Sequence, residues 1–249
     1  MLLQTFLFAA LIAPRSGPNG GSLASALKIA IYSHSLPPEV DGVSRRFSML
    51  IKEFNRRGHS VFVFTLEKRL ELTNVEPVTL LDFATGLAAY PTKKIGKPGW
   101  GELNRITNVL KEQKPDVVHV TVDALSTQFV MAARLAGVPV VGSIHTDVIR
   151  ILEAVGSNTL AKMMVAFKES NDAFFFDGCG TTSKSFRAKL KSNPSVPQIG
   201  SLLSVECPFI VPTSVDIATF KPAPDAEVRS RLTFGNPDGF LAVYVGRLG

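Results

Sequence analysis

From Lys28 onward, short apolar runs alternate with stretches whose apolar residues recur every three or four positions. Lys28-Ile-Ala-Ile-Tyr-Ser33 is the first run, and it leads into a Pro/Gly-rich loop from Ser35 to Gly42. Val43, Phe47, Leu50, Ile51 and Phe54 then fall at helical spacing, with Arg45, Arg46, Lys52 and Arg56 on the opposite face. Gly58 stops that helix, and His59 to Thr65 reads as the second strand. Val75 to Phe83 reads as a third. A basic, Pro/Gly-rich loop from Tyr90 to Gly101 precedes a helix over Glu102 to Gln113 and a strand over Asp116 to Thr121. Asp123 is the expected N-cap of a helix that runs to Ala136 and stops at Gly137. Val138 to Ile144 is another buried strand. A helix-rich segment covers Asp147 to Asn171, followed by a strand over Ala173 to Gly178, a helix from Ser183 and a last strand over Val205 to Val211. Strands that alternate with helices predict an α/β fold: a doubly wound parallel sheet, Rossmann-like, with helices on both faces.

The first 27 residues read differently. Met1 to Ala13 is apolar and Pro14 to Gly21 is turn-rich. Thirteen residues fall short of the roughly 20 that span a bilayer. The run has the length of a signal-peptide core, and Ala24-Ser25-Ala26 has the small residues of a cleavage site, although no Lys or Arg precedes the run. A cleavable leader (secretory or plastid), a short membrane-surface anchor and an upstream extension without function all fit, so the compartment stays open. No other stretch has the pattern of a transmembrane helix, which predicts a soluble or peripheral remainder.

Composition narrows the classes. Of 249 residues, 45% are hydrophobic and 19% charged, which suits a well-buried α/β core and excludes disorder. Lys+Arg number 27 against 21 Asp+Glu, a formal net charge of +6. No concentrated Lys/Arg stripe or reading motif accompanies that surplus, so nucleic acid is not an expected partner; phosphates on a nucleotide or a membrane suit it better. Cys179 and Cys207 form no C-x-x-C pair, which argues against structural zinc or a disulfide framework, and they read as buried thiols. His34, His59 and His119 stand alone near strands and carry no assigned chemistry. Leu160, Met163, Met164 and Phe167 form an apolar stripe that reads as core. Lys93, Lys94 and Lys97 beside Trp100 read either as a solvated loop or as a contact with a lipid surface.

Ligands of doubly wound sheets bind at the carboxyl ends of the strands, so the loops after Ser33, Thr121 and Ile144 carry the chemistry. The first of these has no G-x-G-x-x-G, and the chain has no G-x-x-x-x-G-K-[ST]. It has Pro37-Pro-Glu-Val-Asp-Gly-Val43 instead. Two prolines stiffen the loop, and Gly42 lets a ligand approach the backbone where a helix opens and free N–H groups favour anions. A plain strand–helix turn would look the same.

Six segments in order resemble family-4 retaining glycosyltransferases. They are Lys28-Ile-Ala-Ile-Tyr-Ser, Pro37-Pro-Glu-Val-Asp-Gly-Val-Ser-Arg, Arg57-Gly-His-Ser-Val-Phe-Val-Phe-Thr, Lys114-Pro-Asp-Val-Val-His-Val, Gly137-Val-Pro-Val-Val-Gly-Ser-Ile-His-Thr and Val211-Pro-Thr-Ser-Val-Asp-Ile-Ala-Thr-Phe-Lys-Pro. Val243-Tyr-Val-Gly-Arg-Leu-Gly249 resembles the segment that opens that family's second domain. In the second and fifth segments the likeness is closest to transferases acting on glycerolipids, such as sulfoquinovosyl or mannosyl transferases.

The resemblance implies the N-terminal half of a two-domain GT-B fold. Residues 28–221 would be the acceptor domain and 222–249 the start of an incomplete nucleotide-sugar domain, after a leader and linker over 1–27. It implies a UDP- or GDP-linked sugar as donor, a lipid or glycan acceptor, peripheral membrane contact, and neither metal nor protein nucleophile. Gly42 would offer its N–H to the donor diphosphate, His145 would touch the transferring sugar, and Arg247 would bind the diphosphate as charge develops. Asp41, Arg45, Lys93, Lys94, Trp100, Thr146 and Asp147 are the acceptor-side candidates. Thr213-Ser214 stand where the family usually has Asn-Gly, and the family's phosphate-binding lysine and paired glutamates would lie beyond Gly249. The chain is therefore expected to be a fragment, inactive alone. The alternative is a non-catalytic module that binds a glycan, a lipid or a partner chain on the same fold.

Overall fold

The computed structural model describes residues 26–65, 72, 74–79, 83–87, 90–96, 99–192, 207–212, 225–236 and 239. Lys97, Thr213, Ser214, Arg247 and the apolar run at the N-terminus lie outside the described residues. Two compact units divide the chain, Met1–Thr213 and Ser214–Gly249. In the second, one helix is described, α7 (Ala226–Leu232), capped by Asp225.

The first unit runs β1 (Lys28–Tyr32), α1 (Gly42–Arg56), β2 (Ser60–Thr65), β3 (Glu76–Thr79), β4 (Phe83–Leu87), β5 (Tyr90–Gly96), α2 (Trp100–Gln113), β6 (Val117–Thr121), α3 (Ser126–Ala136), β7 (Val140–Ile144), α4 (Val148–Ala154), α5 (Thr159–Phe175), β8 (Gly178–Thr181), α6 (Lys184–Ser192) and β9 (Phe209–Ile210). Seven strands form one sheet in the order β3-β2-β1-β6-β7-β8-β9, every pair parallel. The chain winds outward from β1 through β2 to β3, then returns to the other side of β1 at β6. That reversal splits the loops after β1 and β6 and opens a crevice at the carboxyl edge.

Alternation along the strands builds a core on each face. Ile29, Ile31, Val61 and Val63 pack with Phe47, Ile51 and Phe54 of α1. Ala30, Tyr32, Phe62 and Phe64 pack on the opposite face with Leu103, Ile106 and Leu110 of α2 and Phe129 of α3. Gly142 in β7 has a packing role: a Cβ there would meet the Phe176 ring at 2.0 Å.

Several local expectations are corrected. The segment read as a loop over Tyr90 to Gly101 holds β5, which pairs antiparallel with β4 in a separate two-stranded sheet, and the first turn of α2. Asp123 is not the N-cap of α3. Its carboxylate accepts the Leu125 N–H at 2.9 Å, and the helix begins at Ser126. Ala173 to Phe175 end α5 rather than beginning a strand, and β8 starts at Gly178. The stripe on α5 is not core: Leu160, Met164 and Phe167 are about two-thirds exposed, and of the four residues Met163 alone packs against Ile149 and Ala166. Cys179 and Cys207 are joined by a disulfide, because the parallel pairing of β8 with β9 brings their Cα atoms to 4.5 Å.

Candidate functional site

The β1–α1 loop ends on Asp41, whose Oδ1 accepts the Ser44 N–H at 2.8 Å and so caps α1. Ser35 Oγ lies 2.6 Å from Asp41 Oδ2 and 2.8 Å from Glu39 Oε2, fixing the loop against its own helix. The Gly42 and Val43 N–H groups take no acceptor among the described residues, and nothing lies within 4 Å of where a Gly42 Cβ would be. The helix thus opens toward free space with donors at the positive end of its dipole.

One turn further on, Phe47 packs its ring 5.3 Å from His119 and 5.7 Å from His145, centroid to centroid. The two imidazoles share one hydroxyl. Ser143 Oγ is 2.9 Å from His119 Nε2 and 2.8 Å from His145 Nε2. A serine hydroxyl has one proton to give, so it donates to one ring and accepts from the other. Desolvation, reinforced by the charge of Arg46, lowers His119 to about 4 and His145 to about 3. Both rings are therefore neutral near pH 7. Arg46 is itself buried and donates from Nη1 to the Val211 carbonyl at 2.8 Å.

At the β1/β6 switch point, Tyr32 donates its hydroxyl to Asp123 Oδ2 at 2.6 Å, and His34 Nδ1 stands 3.5 Å from the same oxygen. Burial raises the Asp123 carboxyl against the pull of His34, and raises the Tyr32 phenol with help from the Asp123 charge. After β7, Asp147 caps α4 by accepting the Arg150 N–H at 3.0 Å, and its other oxygen accepts from Lys189 Nζ at 2.5 Å. Glu169 on α5 feels the charges of Asp147 and Lys189; burial pushes its carboxyl up to about 7.

The fold thus gathers Asp41, Gly42, Arg45, His145, Thr146 and Asp147 at the carboxyl edge, with Arg45 exposed on α1 and Thr146 half-buried between His145 and Asp147. Lys93 and Lys94 are elsewhere, on β5 of the small sheet. Trp100 is 78% exposed at the start of α2, tied to the first turn of α3 by Gln128 Nε2 donating to Gly99 O at 2.7 Å. Arg46, His119, Ser143, Asp123, Glu169 and Lys189 are site residues that sequence reasoning missed. A signal existed for Ser143 and His145, two apart on one face at a strand end; none marked Glu169. Among the described residues no group of three or more His, Cys, Asp or Glu is placed to hold a metal ion.

Known proteins share this architecture. HepE of Anabaena, solved in complex with UDP-glucose, superposes with a TM-score of 0.51 at 16% identity, over 84% of this chain and 50% of that one. Sucrose-phosphate synthase of Thermosynechococcus elongatus gives 0.53 at 14% identity, over 83% and 53%. At such identities the likeness is one of fold. A GDP-mannose-dependent alpha-mannosyltransferase of Mycolicibacterium smegmatis is 27% identical over 230 residues, 89% of this chain and 56% of that protein. The chain spans about half the length of these relatives. A family model described as a glycosyl transferase 4-like domain matches residues 41–192, more than half of the chain, and the chain belongs to that family.

Proposed function

We propose that this chain is the acceptor-side half of a retaining glycosyltransferase that moves a sugar from a UDP- or GDP-linked donor to a lipid or glycan acceptor. One observation carries the reading: Phe47 couples the open N-terminus of α1 to the neutral His145 ring, both at the carboxyl edge. Gly42 and Val43 would donate N–H groups to the diphosphate. Charge develops on that leaving group, so donors already in place lower the barrier without moving. A neutral imidazole suits contact with a sugar hydroxyl, because it donates or accepts a hydrogen bond without bringing a cation to the reacting carbon. The acceptor would attack on the face that the diphosphate leaves. Exposed Trp100, beside the lysine-bearing strand β5, supports peripheral contact with anionic lipid.

The test is transfer of labelled sugar from GDP-mannose and UDP-glucose to lipid and glycan acceptors. It would use the chain alone and the chain joined to the part of the M. smegmatis mannosyltransferase that it does not span. Transfer by the joined protein, largely lost in His145→Ala, is expected. Equal transfer by His145→Ala would remove this histidine from the site, and acceptor binding without transfer from any donor would favour a binding module.

A further inference from the structure

The helices on the two faces of the sheet differ in what they show to solvent. On α1 the exposed positions after Gly42 are Arg45, Lys52 and Arg56, while Phe47, Ile51 and Phe54 are buried. On α5 that order is inverted. Leu160, Met164, Phe167 and Phe174 recur at i, i+4, i+7 and i+14, one line along the helix, and are 64%, 65%, 64% and 81% exposed. Ala166, Glu169 and Asp172, on the opposite side, are the buried residues. The helix therefore buries two carboxyl groups and leaves its large apolar side chains outside. Met131 and Leu135 on the neighbouring α3 are exposed as well. An apolar patch of this kind, several hundred Å² in extent, marks an interaction site, whereas single exposed apolar residues do not.

Charge on the same face selects what covers the patch. The next helix there, α6, carries four basic residues (Lys184, Arg187, Lys189 and Lys191) and no acidic one. Phe186 and Leu190 hold it to the core that α3 also packs on, and the charge of Lys189 reaches Glu169 on α5. Lys162 on α5 adds to the surplus. The acids nearby are matched: Asp147 pairs with Lys189, Asp172 with Lys168 and Asp177 with Arg134. On α4, exposed Arg150 and Glu153 offset each other. A second copy meeting this face on its own two-fold axis would set α6 against α6, basic against basic. An anionic bilayer meets both features, since its acyl boundary takes large apolar side chains and its phosphates take Lys and Arg. Among the described residues no helix is long and apolar enough to cross a membrane, so α5 would lie along the surface. We infer that α3, α5 and α6 form a face that docks on an anionic bilayer, with Leu160, Met164, Phe167 and Phe174 entering the headgroup region. This deepens the membrane contact of the proposed function and rests on that reading for the bilayer alone, because Trp100 and β5 are a different surface.

Flotation of the full chain with vesicles would test this, using phosphatidylcholine alone and phosphatidylcholine mixed with phosphatidylglycerol. Wild type is expected to prefer the anionic vesicles. Leu160→Ser, Met164→Ser and Phe167→Ser combined should weaken binding by about tenfold or more. Lys184→Gln with Lys191→Gln should weaken it about thirtyfold on anionic vesicles and leave phosphatidylcholine unaffected. Circular dichroism checks that the variants fold; if the serine variant does not, the lysine pair decides. Equal affinity for the two vesicle types, or binding that neither variant changes, would overturn the inference. So would a dimer in sedimentation velocity that the serine variant dissociates, which assigns the face to a second copy. Loss of vesicle binding in the chain joined to the M. smegmatis part would do the same, by showing the face covered there. Trp100 is the single tryptophan of the chain, so quenching of its emission by brominated lipid reports on the start of α2 separately. Quenching with unchanged binding in both variants keeps the Trp100 contact and removes this face. Binding that depends on α5 and α6 while Trp100 stays unquenched does the reverse.

Discussion

Asp172 and Glu169 are one helical turn apart on α5, yet they belong to different regions. Around Asp172 the contact between α3 and α5 is closed. Its carboxylate is fully buried and bonded to Ser126 at 2.5 Å, Thr127 at 2.7 Å and Lys168 at 2.7 Å. On β7, Gly142 likewise leaves no room beyond its own hydrogen, because the Phe176 ring fills the place of a side chain. Glu169 is bonded to no described residue and reaches solvent, and at the carboxyl edge the start of α1 faces open space. The closed contacts are arranged for stability, and the edge withholds stability where a ligand can supply it.

Removing Asp172 tests the contrast most severely. Asp172→Ala strands two hydroxyls that lose a buried partner, while Lys168, 31% exposed, can turn to solvent, and chemical denaturation should show a loss of about 3 kcal/mol. A loss below about 1 kcal/mol would mean that this contact is no better satisfied than the edge.

Glu169→Gln should go the other way, with a pH signature. The folded state raises this carboxyl from 4.5 to about 7, so the fold favours the protonated form. The cost of ionising it in place is absent below pH 4.5, grows as pH rises, and is complete above about 7. Glu169→Gln should therefore be more stable than wild type at pH 8 by about 3 kcal/mol. That gain should vanish at pH 4, as thermal unfolding at the two pH values would show.

Gly142→Ala should cost about 1 to 3 kcal/mol through overpacking against Phe176. Combining it with Phe176→Leu should recover part of that loss, since the two sites touch. Gly42→Ala is the mild counterpart. Its Cβ meets nothing, so stability should be unchanged or improved by up to about 1 kcal/mol from helix propensity. In the joined protein, the same methyl should raise the KM for the nucleotide sugar if a diphosphate approaches there.

The winding of the sheet was legible because its strands are continuous apolar runs and its first helices carry a clear 3.6-residue period. Misreadings came where local pattern and tertiary setting disagree. Pro91 and Gly96 made β5 look like a loop, yet a two-stranded antiparallel ribbon accommodates both at its ends. Phe174, Phe175 and Phe176 look like a strand, whereas Phe174 is an exposed residue of the last turn of α5. The periodicity of Leu160, Met164 and Phe167 defined a face correctly but not what lies over it. Gly42 and His145 could be picked out because one is a glycine at a helix start and the other a histidine at a strand end. Glu169 could not, since a glutamate on an amphipathic helix looks solvated until the packing of α4 and α6 around it is known.

The shared Ser143 hydroxyl has a consequence for what His145 can present. If the hydroxyl donates to His145, that ring keeps its proton on Nδ1; if it accepts from His145, Nδ1 is bare. The state of His119 is the mirror image in each case, so the three groups have two proton arrangements and exchange them as a unit. A carbonyl ligand suits only the first arrangement of His145 and an ammonium only the second. An alcohol suits both, by turning its own O–H, so this relay is indifferent to its own polarity only when the molecule beside it is hydroxylated.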